Sequence, residues 1–172
     1  MKKLVLVSLA VLVIAACGTM GSHGPSATAT LASTSGSTAT GTVRLAQVAD
    51  GSVDVTVNLA GVPPGVHGFH VHDKGDCGDN GNAAGGHFNP NAMAHGAPST
   101  PPHHAGDFGN VTADADGKVT TQFNTRSITV EAGANSAVGH AIILHANADD
   151  LTTQPSGNAG ARIACGVVTM NH

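Results

Sequence analysis

The sequence predicts an all-β fold, an antiparallel eight-stranded Greek-key barrel or sandwich with long loops. Two observations carry this. Stretch after stretch alternates apolar and polar residues with period two, and Gly, Asp, Asn, Ser and Pro clusters separate those stretches at short intervals. A third observation removes the main competitor: charged residues are only 10% of the 172, and no segment carries the charged helical repeat of a coiled coil.

Taken in order, the opening MKKLVLVSLAVLVIAAC has a basic start, an apolar run from Leu4 to Ile14 and small residues before Cys17. That is a secretory signal pattern, and it is too short to span a membrane. Because Cys17 directly follows Ile14-Ala15-Ala16, the segment resembles a bacterial lipoprotein signal, which implies loss of residues 1–16 and a lipid anchor on Cys17. Residues 17–26 (CGTMGSHGPS) read as a flexible tether, and the folded domain is expected over 27–172. TATLAST, TATGTVRLAQV and SVDVTVNLAGV then predict three antiparallel strands, parted by Ser35-Gly36-Ser37 and by Ala49-Asp50-Gly51-Ser52. After the Pro63-Pro64-Gly65 turn, VHGFHVH places His70 and His72 on one strand face and Val71 on the other. Residues 73 to about 107 lack periodicity and form a loop far longer than an ordinary connection, a length that usually signals function or disorder. GNVTADADGKVTTQF, with Asp116-Gly117 as a hairpin turn, then GHAIILHA and ARIACGVVTM complete about eight strands, with no helix.

The length left after residue 16 suits one domain. Removal of Lys2 and Lys3 leaves 5 basic against 11 acidic side chains, a net charge of −6. No basic patch is available, so binding to nucleic acid is not expected. Three cysteines in an exported chain leave an odd one unless Cys17 carries the lipid, and Cys77 and Cys165 then form one disulfide. Such a bridge fits an oxidising compartment.

Eleven histidines outnumber the seven lysines and arginines. A single histidine in a β-protein is ordinarily a surface or hydrogen-bonded residue, but here the spacing converges. His70 and His72 share a strand face, the long loop supplies His87, His95, His104 and Asp107, and His145 follows on a later strand. Imidazoles with one carboxylate suit zinc and copper, whereas calcium or magnesium requires oxygen ligands throughout.

At these residues the chain resembles the Cu,Zn superoxide dismutases. The matching segments are GFHVHDKGDC (68–77), GGHFNP (85–90), HGAP (95–98), HHAGDFGNVTADADG (103–117), ILHANADDL (143–151) and GNAGARIACGVV (157–168), and the loop keeps the family spacing H-x7-H-x8-H-x2-D. The resemblance covers about residues 27–170 and implies an antiparallel Greek-key barrel, an architecture of which this family is a standard member. It further implies copper held by His70, His72, His87 and His145, and zinc held by His87, His95, His104 and Asp107, with His87 shared. Asp149 matches the carboxylate that ties the rings of His70 and His95, and Arg162 matches the arginine that attracts the anion. The implied reaction turns superoxide into O2 and H2O2 as copper cycles by one electron between Cu(II) and Cu(I), with His87 and Arg162 as its catalytic residues.

His103 stands beside the ligand spacing and is expected to be an exposed neighbour, while His67 and His140 are expected to be structural hydrogen-bonders. Two departures from the eukaryotic pattern matter. Cys77 follows His72 by five residues in a longer Gly/Asn segment, as in the bacterial branch, and the loop LTTQPS carries no charge. Guidance of superoxide therefore falls to Arg162 and the metals, with Lys74 as a helper. Oligomeric state does not carry over. The resulting expectation is a lipid-anchored extracytoplasmic dismutase; the alternative is a non-catalytic zinc- or copper-binding lipoprotein on the same fold.

Overall fold

The computed structural model describes residues 23–172. The signal segment, Cys17 and the first part of the tether lie outside the described residues. Eight strands follow one another as β1 (His23–Ser33), β2 (Thr40–Val48), β3 (Val53–Ala60), β4 (Gly65–His72), β5 (Asp107–Ala113), β6 (Val119–Thr125), β7 (Ala141–His145) and β8 (Arg162–Met170). They form one antiparallel ladder in the order β5-β4-β7-β8-β1-β2-β3-β6, a nearly closed barrel whose two end strands, β5 and β6, meet at the seam. The pairing of β3 with β6 and of β4 with β7 gives the Greek-key crossings.

Period-two burial is the reason these residues make strands. Along β3, Val53, Val55, Val57 and Leu59 are buried while their neighbours are not, and Ala27, Ala29 and Leu31 of β1 and Val43 and Leu45 of β2 complete that wall of the core. Phe69 and Val71 of β4 and Ile142 and Leu144 of β7 fill the other wall. The opposite faces of β4 and β7 then point out of the barrel, carrying His70, His72, Ile143 and His145. Ile143 joins Ala84, Ala141 and Cys165 in a small second apolar cluster outside the barrel, with Cys77 packed against it.

Three expectations change. β1 begins at His23, four residues before Ala27, so the end of the expected tether is already strand; Ser26 pairs with Ala46 of β2, and its carbonyl accepts from the Asn171 amide. The long loop is not helix-free, because Asp79–Ala84 forms a short 3-10 segment. Asp116-Gly117 does turn the chain, with Asp114 accepting at Oδ1 from the Asp116 and Lys118 amides, but β5 and β6 do not pair across it. β5 instead pairs with β4 and β6 with β3, so this turn is a barrel corner rather than the end of a hairpin ladder.

Candidate metal centre

The site lies on the outer face of β4 and β7, beneath the loops. His70 and His72 come from β4, His145 from β7, and the register sets Phe69 opposite Leu144 and His70 opposite Ile143. Asp107 is the first residue of β5, while His87, His95 and His104 come from the connection between β4 and β5. Two groups result, His70, His72, His87 and His145, and His87, His95, His104 and Asp107, with His87 in both. All seven residues are buried, and within each group the ligand atoms lie within 4.8 Å of one another.

The rings of His70, His72, His95 and His145 are each oriented by the nitrogen that faces away from the group. His72 Nδ1 donates to the Gly85 carbonyl at 2.9 Å and His145 Nδ1 to the Gly160 carbonyl at 3.2 Å, which turns both Nε2 atoms inward, 3.3 Å apart. His70 Nε2 donates to Asp149 Oδ2 at 2.8 Å, leaving its Nδ1 buried without a partner. His87 Nε2, His95 Nδ1 and His104 Nδ1 are likewise buried and unpartnered. Inward nitrogens with no hydrogen-bond partner are costly unless something else occupies their lone pairs.

Around Asp107 the division of labour is sharp. Its Oδ2 accepts from the His104 and Gly96 amides at 2.8 and 3.1 Å, while Oδ1 faces Nδ1 of His87, His95 and His104 at 2.7, 3.1 and 3.2 Å. Three imidazole nitrogens and one carboxylate oxygen converging in this way are the donor set of a closed four-coordinate zinc site. The other group, four imidazole nitrogens, suits copper.

Electrostatics keep the donors ready to bind. Burial holds His70 down to about 4 and His145 down to about 3, and pushes His72 and His104 below their ordinary value, so these rings stay neutral at pH 7. Burial alone would raise Asp107 and Asp149. Hydrogen bonds from His87 and the His104 and Gly96 amides overcome it at Asp107, and those from His70, the Leu151 amide and His95 overcome it at Asp149. Both carboxylates are held below the usual range and remain ionised.

Asp149 sits where the sequence places it: Oδ2 on His70 and Oδ1 on His95 Nε2 at 3.0 Å, one carboxylate joining a ring of each group. Arg162, the first residue of β8, donates through Nη1 to the Gly81 carbonyl and through Nη2 to the Gly85 carbonyl, both at 2.6 Å. Gly85 O thus receives both Arg162 and His72, which puts the guanidinium beside the four-imidazole group. Cys77 and Cys165 form a disulfide that pins the 3-10 segment to β8. Lys74 is exposed on the same loop.

The remaining histidines divide. His67 lies between the carbonyls of Pro63 and His145, at 2.7 and 2.8 Å, a structural role as expected. His140 departs from expectation: its Nδ1 is buried without a hydrogen-bond partner, and its ring lies on Phe88 at 4.1 Å between centroids. His103 donates to the His104 carbonyl at 2.8 Å, belongs to neither group, and is half-buried rather than exposed.

Sequence reasoning passed over two supporting residues. Asn110 of β5 donates to the Asp149 carbonyl and accepts from the Asp149 amide, at 2.9 and 2.8 Å. Gln154 does the same for His95, at 2.8 Å in both directions. An Asn in a strand and a Gln in a polar loop carry no local signal of such roles.

Comparison with known proteins agrees with this geometry. The crystal structure of the clock protein EA4 superimposes with a TM-score of 0.77 at 38% identity, covering 85% of this chain and 94% of that one. Residues 39–168, which hold every donor of both groups together with Asp149, Arg162 and the disulfide, match the copper/zinc superoxide dismutase (SODC) family. A nearly closed Greek-key barrel, two buried donor groups sharing one histidine and a match over most of the chain converge on one conclusion: the chain belongs to the copper/zinc superoxide dismutase family.

Proposed function

We propose that the protein is an active superoxide dismutase, with copper held by His70, His72, His87 and His145 and zinc by His87, His95, His104 and Asp107. The observation that carries this reading is the two-sided placement of His87. Its Nδ1 faces Asp107, while its Nε2 is buried, unpartnered and part of the four-imidazole group. A bound copper supplies the one-electron cycling between Cu(II) and Cu(I) that dismutation requires, which zinc cannot. With copper bound, the net reaction would convert two superoxide anions and two protons into O2 and H2O2.

The chain's own part is positional and electrostatic. His87 Nε2 is the atom placed to hold a proton for the second superoxide. Arg162 sets a fixed positive charge beside the group, strong enough to help push the His72 and His145 protonation equilibria down. Asp149 keeps the rings of His70 and His95 from rotating.

A relative named for a clock rather than for dismutation motivates a second reading, a non-catalytic protein holding zinc or copper on the same fold. Complete retention of the four-imidazole group with Arg162 beside it favours catalysis, since a zinc store requires neither. The test is metal content and dismutation rate after refolding with copper and zinc. One copper and one zinc per chain with rapid dismutation is expected; both metals bound without dismutation would establish the second reading.

We further propose that the mature protein works outside the cytoplasm, anchored through lipidated Cys17. The lipoprotein-like start and the Cys77–Cys165 disulfide support this. Among the described residues no helix is long and apolar enough to cross a membrane. Mass spectrometry of membrane-extracted protein is expected to show acylation at Cys17; an unmodified Cys17 in a soluble fraction would remove the anchor.

A further inference from the structure

The loop between β7 and β8 lacks the charge that would steer a substrate, yet it is ordered by its own hydrogen bonds. Asp150 Oδ1 accepts from the Thr152 and Thr153 amides, the Asp150 amide donates to the Gly157 carbonyl, and the Gly157 amide donates to the Thr153 carbonyl. From this frame Gln154 reaches across to His95. Its Oε1 accepts from the His95 amide and its Nε2 donates to the His95 carbonyl, each at 2.8 Å. A side-chain amide thus pairs with both backbone groups of one residue, as a neighbouring strand would.

His95 needs such a partner. It lies in residues 92–97, which have no regular secondary structure, and neither its amide nor its carbonyl is paired with backbone. Its ring is hydrogen-bonded through Nε2 to Asp149, a residue of the same loop. Gly157 makes room for that contact: with φ +65°, it leaves the space where a Cβ would stand 1.7 Å from Asp149 Oδ1 and 2.8 Å from His95 Nε2. One short loop therefore grips His95 twice, by the ring from Asp149 and by the backbone from Gln154.

We propose that Gln154 is a positioning residue for zinc, fixing the His95 backbone so that Nδ1 stays aimed at the other donors of its group. This rests on the assignment of zinc to His87, His95, His104 and Asp107. Gln154 hydrogen-bonds to His95 and to none of the three copper-only donors, so its direct influence falls on one metal. The loop, which offers no cation to an anion, then has a role of its own, holding one zinc ligand in place.

The test compares release of zinc and of copper from the fully loaded protein to a chelator, in wild type, Gln154→Met, Gln154→Glu and Thr152→Ala. Methionine keeps the length and loses both hydrogen bonds; glutamate keeps the acceptor for the His95 amide and loses the donor. Partners that orient metal ligands typically change metal affinity by about 10- to 100-fold, and a partner acting through the backbone belongs at the lower end, so zinc is expected to leave Gln154→Met about tenfold faster. Copper release is expected to change less than about twofold, and Thr152→Ala to match wild type for both metals. Amide hydrogen exchange supplies a second readout: the His95 amide is expected to exchange faster in Gln154→Met but to stay protected in Gln154→Glu, whose zinc release is still accelerated. Zinc release from Gln154→Met at the wild-type rate overturns the proposal alone. Equal acceleration of zinc and copper release overturns it in favour of general loosening. A wild-type protein that takes up no zinc overturns the metal assignment and the proposal with it.

Discussion

Acid should unfold the metal-free protein long before its carboxylates are protonated, because the donor groups bury imidazoles that cannot accept protons while folded. His70 is held at about 4 and His145 at about 3, against 6.5 for a free ring, with burial the leading cause at both. Folded values below the unfolded ones mean that the unfolded chain binds more protons over this interval. The stabilising contribution is therefore complete above pH 6.5 and is lost as pH falls toward the folded values. Each ring that must stay neutral contributes a slope of about 1.4 kcal/mol per pH unit, so the two together remove about 5 kcal/mol between pH 6.5 and about 4.5. That loss is comparable with the whole stability of many domains, about 5–15 kcal/mol. His72, held well below 6.5, acts in the same direction. Urea unfolding of demetallated protein at several pH values, followed by circular dichroism, gives the slope directly. Loading both metals should move the loss to lower pH, because bound metal competes with protons for the same nitrogens. Constant metal-free stability over this interval would show that the rings protonate within the fold, and would refute the account of a dry donor set.

The disulfide spans 88 residues, for which loop-closure entropy predicts that Cys77→Ser with Cys165→Ser costs about 4–5 kcal/mol, measurable as a lower urea midpoint; an unchanged midpoint would mean that the bridge does not constrain the unfolded chain. His87→Ala should lower the affinity of both donor groups at once and depress dismutation, while circular dichroism keeps its β signature, because His87 lies on a loop outside the core. Unchanged dismutation in that variant would remove the shared-ligand assignment. Arg162→Glu, compared with wild type after both are loaded to one copper and one zinc per chain, should slow dismutation several-fold or more at low salt, and added salt should narrow the gap, since charges are screened over about 10 Å at 0.1 M. Arg162→Lys, which keeps the charge and loses the fork, separates field from hydrogen bonding. Equal rates for wild type and Arg162→Glu at low salt would end the guidance role.

The strands were legible because burial in a barrel alternates, and alternation survives in sequence as Val53, Val55, Val57 and Leu59 or as Phe69 and Val71. The donors were legible because a strand fixes which side chains share a face, and because a loop that delivers three ligands to one ion keeps their spacing. What was not legible depends on contacts distant in sequence. Asn110 and Asp149 are 39 residues apart and Gln154 and His95 59 apart, and nothing local in either pair announces its partner. The Asp114–Lys118 turn misled for a related reason: its chemistry describes how the chain reverses, whereas the strands leaving it follow partners supplied by β3 and β4.

These distant contacts share a direction. The donor loops have little regular structure, and side chains from the strands and from the β7–β8 loop pair with their backbone groups. Asp107 of β5 takes the amides of Gly96 and His104, Arg162 of β8 takes the carbonyls of Gly81 and Gly85, and Gln154 takes both groups of His95. Asn110 of β5 steadies the backbone of Asp149, which in turn holds two rings. Rigidity thus flows from the ladder outward, which is how a metal site on loops attains fixed geometry. Arg162 shows why this is compatible with guidance. Two of the five N–H donors of its guanidinium are spent on loop carbonyls, but hydrogen bonds to neutral acceptors do not cancel a charge, and the remaining donors stay available to an anion. On the proposed function, with net charge −6 after residue 16 and no cation on the LTTQPS loop, the field that would draw superoxide inward has to be local. The residue that holds the loop in place is also the one best placed to supply it.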